Sequence, residues 1–265
     1  MDDVRYEVAA DVGVVTLDRP EAKNALNVEM RDELVRLVRE ARSDPAVRAL
    51  LITGTGDAFC AGADMGTTTV SKSAEAGFDT RSTQEALRIG VQTLIRELWE
   101  LDKPTVAAVN GTAVGPGAHL ALACDFVVIA EDARLMWSFA KWGLVVDAAG
   151  AYLLPRLVGL PRAKRMVLLG EGLTGAEAVA GGLAYASTPA DDVLARATEL
   201  ARTLAAGPTR SLGLSKALLN RTFETDLPTS LDLEGAYQSL ATTSEDLKEG
   251  MAAFKEKRPP NFTGR

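Results

Sequence analysis

The sequence predicts an α/β fold with parallel strands in its first half and a helical second half. Three observations carry this. Short β-branched runs alternate with amphipathic helical stripes through the N-terminal half, the pattern of a strand-helix-strand layer. From about Ala148 onward the chain turns to Ala and Leu with Gly/Pro punctuation and little strand signal. At 265 residues, 47% hydrophobic and 25% charged, the chain is long enough to bury a core without disulfide or metal staples.

The elements follow in order. Val4–Val8 and Val12–Leu17 read as a hairpin across a Gly-containing turn. Asn27 is placed to cap a helix, whose Met30, Leu34, Leu37, Val38 and Ala41 form one apolar stripe. Val47–Thr53 reads as a buried strand ending in the turn Gly54-Thr55-Gly56-Asp57. Thr67–Phe78 is small, polar and aperiodic, and reads as a mobile loop. Leu87, Val91, Leu94, Ile95 and Leu98 give a second amphipathic helix. Thr105–Val109, closed by the turn Asn110-Gly111, and Phe126–Ile129 are further strands, and Ala190–Ala206, Thr209–Arg221 and Ser244–Lys257 are the clearest late helices.

Charge and composition exclude several functions. Lys plus Arg is 29 against 36 Asp plus Glu, a net charge of −7. An acidic chain without a basic run is unsuited to coating nucleic acid or an anionic membrane. The two cysteines, Cys60 and Cys124, form no CxxC pair, so no disulfide framework is expected and a cytoplasmic location is. A single histidine, His119, rules out zinc sites built on paired histidines, and no metal is expected. Met1-Asp2-Asp3 lead into no apolar stretch and no apolar run reaches the ~18 residues of a membrane span, so neither a secretory signal nor a membrane segment is expected.

Two segments are rich in residues with small or absent side chains: Gly54 through Asp64, and Asn110 through Asp125. Each follows a predicted strand. Such turns let a ligand approach the backbone closely and leave main-chain N–H groups free where a helix begins. Tight strand-helix packing explains most such glycines. A phosphate loop fails for want of Gly-Lys-Ser/Thr. The dinucleotide fingerprint stops at Gly115 and Gly117, with Leu120 in the third glycine place, and no G-x-S-x-G elbow occurs. Two turns able to aim N–H groups at one point suggest an oxyanion hole.

Five ordered segments resemble the crotonase (enoyl-CoA hydratase/isomerase) superfamily: Arg19 through Asn27, Ala58 through Asp64, Asn110 through Asp125, Gly143 through Gly159 and Glu249 through Phe262. The resemblance spans nearly the whole chain. It implies a spiral of ββα units over residues 1–200, and over 201–265 a C-terminal helical region used to form a homotrimer or a dimer of trimers. It implies an acyl-CoA enzyme, a lyase or isomerase of the kind found in fatty acid metabolism. Coenzyme A would arrive as part of the substrate, with no separate cofactor.

The resemblance also assigns roles. A thioester enolate would be held by two main-chain N–H groups, the first from Ala63. The carbonyl of Ala61 would face the adenine of CoA. Lys23, Ala25, Leu26 and Asp64 would lie along the CoA path, Asp64 more as a shaper of its loop. Phe254 and Lys257 would close over CoA, often from a neighbouring subunit. Any single lysine is otherwise read as solvated surface. The second donor falls at Pro116, which has no N–H; either Gly117 replaces it or one donor acts alone. The two glutamates of a typical hydratase correspond to His119 and Phe139. His119 can move a proton near its ordinary pKa of ~6.5, or can be a hydrogen-bonded core histidine. Asp147 matches the proton-shuttling aspartate of several family isomerases and the nucleophile of a dehalogenase branch, whose accompanying histidine has no counterpart here. On sequence alone it reads equally as a helix N-cap. Trp137, Phe139 and Trp142 would wall an acyl pocket, or be core aromatics. The rival reading is a CoA-thioester-binding homologue without efficient catalysis.

Overall fold

The computed structural model describes residues 3–66 and 80–265. The predicted loop Thr67–Phe78 lies outside the described residues.

Strand β1 (Val4–Ala9) pairs antiparallel with β2 (Val12–Leu17), Val4 opposite Leu17. The turn between them is made by Ala10 (φ 50°) and Asp11 (φ 63°), both left-handed, the geometry of a two-residue hairpin turn. The expected turn glycine, Gly13, lies inside β2, where a Cβ would come 2.9 Å from Tyr6 Oη. Helix α1 (Val28–Ser43) starts where predicted: Asn27 Oδ1 accepts from the Met30 N–H at 2.7 Å. Its predicted stripe is buried. At its C-terminal end Lys103 Nζ donates to the carbonyls of Ala41 (2.6 Å) and Asp44 (2.8 Å), satisfying orphan acceptors with a cation.

β3 (Ala49–Gly54) begins two residues after the sequence reading and leads to β4 (Ala58–Cys60). The single helix expected through Leu87–Leu98 is two, α2 (Thr80–Ile89) and α3 (Val91–Trp99), separated at Gly90. Then come β5 (Thr105–Val109), β6 (Thr112–Val114), α4 (Pro116–Leu122), β7 (Phe126–Ala130) and β8 (Arg134–Met136). A 3-10 turn (Phe139–Trp142) precedes α5 (Gly150–Val158), α6 (Leu160–Leu169), β9 (Leu173–Thr174), α7 (Gly175–Ala180) and β10 (Ala186–Thr188). Four helices close the chain: α8 (Val193–Ala205), α9 (Thr209–Leu219), α10 (Leu227–Thr242) and α11 (Glu245–Glu256).

The strands form two sheets. The six-stranded sheet runs β1-β2-β3-β5-β7-β10 and the four-stranded sheet β4-β6-β8-β9. Every pairing of the large sheet beyond β1-β2 is parallel, as are β4-β6 and β6-β8. The chain therefore steps from large sheet to small sheet three times, β3 to β4, β5 to β6 and β7 to β8, which is the spiral of ββ units the resemblance implies. The small sheet's strands are two or three residues long, too short for periodicity to show. Its register, Ala58 beside Thr112 and Cys60 beside Ala113, brings the C-terminal ends of β4 and β6 together.

Helix α8 packs on β3, β5 and β7 through buried Val193, Ala197, Ala201 and Ala205, so the 200/201 boundary falls inside a core helix. α10 has no buried residue, and Leu227, Leu231 and Leu240 are exposed. The C-terminal segment is tied back by Arg48, which donates to Thr209 Oγ1, Phe262 O and Gly207 O, and by buried Asp246, which accepts from the N–H groups of Thr263 and Gly264. No helix among the described residues is long and apolar enough to cross a membrane.

Candidate active site

The first turn, Ala61–Asp64, follows β4. Leu26 bridges Ala63 in parallel: its N–H donates to Gly62 O at 2.7 Å and its carbonyl accepts from the Asp64 N–H at 3.0 Å. Successive N–H groups of an extended chain point to opposite sides, so the N–H of Ala63 turns away from Leu26. It forms no hydrogen bond among the described residues. Gly62 (φ 96°) has to be glycine, because a Cβ there would come 2.7 Å from Val114 O. Buried Asn24 holds the loop from behind, with Nδ2 on the carbonyls of Thr55 (2.9 Å) and Ala58 (2.8 Å).

The second turn follows β6. Gly115 (φ 50°) spends its N–H on Met136 O at 2.8 Å. Pro116 opens α4 and has no N–H. Gly117 faces inward, where a Cβ would come 2.2 Å from Cys60 O.

A third turn carries Asp147. Its carbonyl accepts from the Gly150 N–H at 2.8 Å. Ala148 (φ 46°) and Ala149 (φ 62°) are both left-handed, a conformation that costs alanine about 1 kcal/mol or more per residue. α5 starts at Gly150 with Ala149 in the cap position and no side-chain cap, so the N-cap reading of Asp147 fails. Its Oδ1 is buried without a hydrogen-bond partner. Burial lifts this carboxyl to about 6, because removal from water penalises the charged form.

These turns meet at a cavity of about 230 Å³. Ala61–Ala63, Val114–Pro116, Phe139 and Asp147 are among its lining residues, together with Leu26, Val28, Arg31, Leu87, Val91, Trp142 and Leu144. The predicted residues Leu26, Ala61, Ala63, Phe139, Trp142 and Asp147 are thus brought together. Phe139 and Trp142 differ in exposure, 6% and 66%.

Other predicted residues lie elsewhere. His119 is fully buried behind Phe139, its ring stacked on the phenyl at 5.7 Å. Its Nε2 accepts from Trp137 Nε1 at 3.0 Å, which leaves the proton of the neutral ring on Nδ1. Nδ1 has no partner of good geometry. Burial pushes His119 down to about 4, and the nearby main chain of Asp147 opposes this only in part. His119 is thus a neutral core histidine that does not line the cavity, and Trp137, equally buried, does not line it either. Gly117 packs against Cys60, where a Cβ would come 2.2 Å from the carbonyl, and is not among the residues that line the cavity.

On the CoA side, Lys23 is exposed and its carbonyl accepts from the Ala61 N–H at 2.9 Å. The Ala25 carbonyl accepts from Arg19 Nη1 at 3.2 Å. Asp64 is ion-paired to Arg19 at 2.6 Å and accepts from the Gly66 N–H at 2.9 Å; the Arg19 hydrogen bond holds it below the usual carboxylate range. None of the three lines the cavity. Phe254 (86% exposed) and Lys257, at the end of α11, do not line it either. Cys60 and Cys124 are buried, their thiols pushed up to about 12 by burial, and serve packing.

Sequence reasoning missed Arg31, Val114, Met65 and Leu144, all on the cavity wall. It placed Leu87 and Val91 on an amphipathic helix without assigning them to a site; both are half-buried and line the cavity. The available signal was the Gly90 interruption between them.

Comparison with known proteins places the chain in a family. The family model for enoyl-CoA hydratase/isomerase matches residues 7–265. A Rhodobacter capsulatus protein named "Probable enoyl-CoA hydratase" is 40% identical over 99% of this chain and 98% of its own. The 1,2-epoxyphenylacetyl-CoA isomerase of Escherichia coli is 39% identical over the full length of both. The crystal structure of an enoyl-CoA hydratase from Bacillus anthracis superposes with a TM-score of 0.90 at 30% identity, covering 99% of this chain and 100% of that one. The chain therefore belongs to the enoyl-CoA hydratase/isomerase family, in the crotonase superfamily.

Proposed function

We propose that the protein is an acyl-CoA isomerase in which Asp147 relocates a proton on an enolised thioester. The observation that carries this is the state of Asp147: an acid on the cavity wall, with a buried oxygen that no protein group satisfies and a proton affinity near working pH. The thioester oxygen would sit at the Ala63 N–H. Charge collecting there lowers the cost of breaking the C–H bond next to the carbonyl. Asp147 takes that proton as the electron pair moves onto the thioester oxygen. It then returns a proton further along the chain as the pair moves back, which shifts the double bond. The sequence is redox-neutral and calls for no cofactor beyond the coenzyme A of the substrate. Isomerisation is favoured over hydration because hydration would need a second group to hold a water. His119 lies behind Phe139 and is not placed to do so.

Solvent-deuterium exchange into a bound saturated acyl-CoA tests the reading. Wild type should exchange the protons beside the thioester and Asp147→Asn should be slower by ~10³ or more; equal rates would discard it. A second reading, a CoA-thioester-binding homologue with little catalysis, is favoured by Pro116, whose ring replaces an N–H on the cavity wall. Calorimetry would then show acyl-CoA binding with no turnover across a broad acyl panel.

We further propose a homotrimer or a dimer of trimers in the cytoplasm. Leu227, Leu231, Leu240, Met251 and Phe254 of the last two helices are large apolar residues left exposed, which a neighbouring copy would cover, and that copy would bring Phe254 and Lys257 to the CoA path.

A further inference from the structure

We propose that Arg31 selects acyl groups that carry a second carboxylate, making dicarboxylic mono-thioesters the preferred substrates; this rests on the acyl-CoA reading above. An unsubstituted acyl chain needs only an apolar wall, and Val28, Leu87, Val91 and Leu144 supply one. Arg31 of α1 is a charged residue among these lining residues. Arg31 stands one helical turn, ~6 Å along the axis, beyond Asn27, and Leu26 just before it is bridged to Ala63. Its side chain keeps 19% of its exposure.

Two of its donors are taken. Asp32 Oδ1 accepts from Nε at 2.9 Å and from Nη2 at 2.7 Å. Asp32 itself is 59% exposed, so solvent screens much of its hold on the cation. Nη1 donates to no group among the described residues. It lies instead over the main chain at Gly90, where a Cβ would come within 2.6 Å of it. Gly90 separates α2 from α3, so the helix break makes room for the guanidinium. A donor on a cation beside apolar surface is costly unless an acceptor meets it. A ligand carboxylate gives a charge-assisted hydrogen bond of the stronger kind.

The test is calorimetry on the full chain with two saturated thioesters, succinyl-CoA and butyryl-CoA, which differ in a terminal carboxylate against a methyl group. Wild type should bind succinyl-CoA at least ~10-fold more tightly. Arg31→Met should bring the ratio of the two dissociation constants to about one, and Arg31→Lys should keep part of it. No preference in wild type, or a preference for butyryl-CoA, overturns the proposal and needs no variant to fold. An Arg31→Met protein that keeps the wild-type ratio also overturns it, even if both ligands weaken, because Arg31 would then be serving the CoA arm. If wild type binds neither thioester, the acyl-CoA reading itself fails.

Discussion

The turns after β4 and β6 occupy equivalent places at neighbouring strand ends, yet they present different chemistry. Ala61–Asp64 keeps an uncommitted N–H at Ala63, turned away from its bridge to Leu26. At Gly115–Gly117 the two leading positions offer none: Gly115 gives its N–H to Met136 and Pro116 has none. Both turns need glycine for close packing, so glycine content alone does not tell a donor from a spacer. What separates them is which amide is left over after the strand pairings are made.

Three experiments bear on that contrast. The largest effect is expected from Ala63→Pro, which removes the remaining donor. Deuterium exchange should fall by ~10²–10³, the cost of one oxyanion donor, in protein whose circular dichroism is unchanged; a loss under threefold would show that the two turns do not differ in function. The second concerns Asp147, which lies on neither turn. Its carboxyl is raised from an ordinary ~3.9 to about 6 by burial, so the native state holds this proton more tightly than the unfolded one. That stability is fully present below pH ~4 and is lost as pH rises through about 6. Asp147→Asn should accordingly exceed wild type by about 2 kcal/mol at pH 8 in urea unfolding, after allowing for partial solvation, and should match it near pH 4. A pH-independent difference would mean the carboxylate is well solvated. The smallest effect is expected from Pro116→Gly, which gives the second turn an N–H. This variant should exchange about tenfold faster than wild type if that amide reaches the thioester oxygen; no rise would leave the first turn acting alone.

The sequence made much of this legible for identifiable reasons. The Asn27 cap and the α1 stripe could be read because each is a local signal, set by neighbours three or four residues apart. The small sheet could not, because two- and three-residue strands carry no period. α10 escaped because no residue of it is buried, so its apolar residues form no inward stripe. At the site, Ala63, Asp147, Phe139 and Trp142 came through the family resemblance and lie on the cavity wall. His119 and Trp137 came the same way and lie behind it. The sequence places all of these near one another, but a ring of separation, here the Phe139 phenyl, is a tertiary fact. Arg31 was hidden for another reason: a lone arginine at the edge of an amphipathic stripe looks like any solvated charge until the Gly90 break is seen beneath it.

The two left-handed alanines that follow Asp147 set folding and aim at odds. Loss of one methyl group at position 148 or 149 would ease the chain into its turn, and the same loosening would let the carboxylate swing. Relief of strain at this corner would therefore come with a carboxylate held less firmly against the cavity.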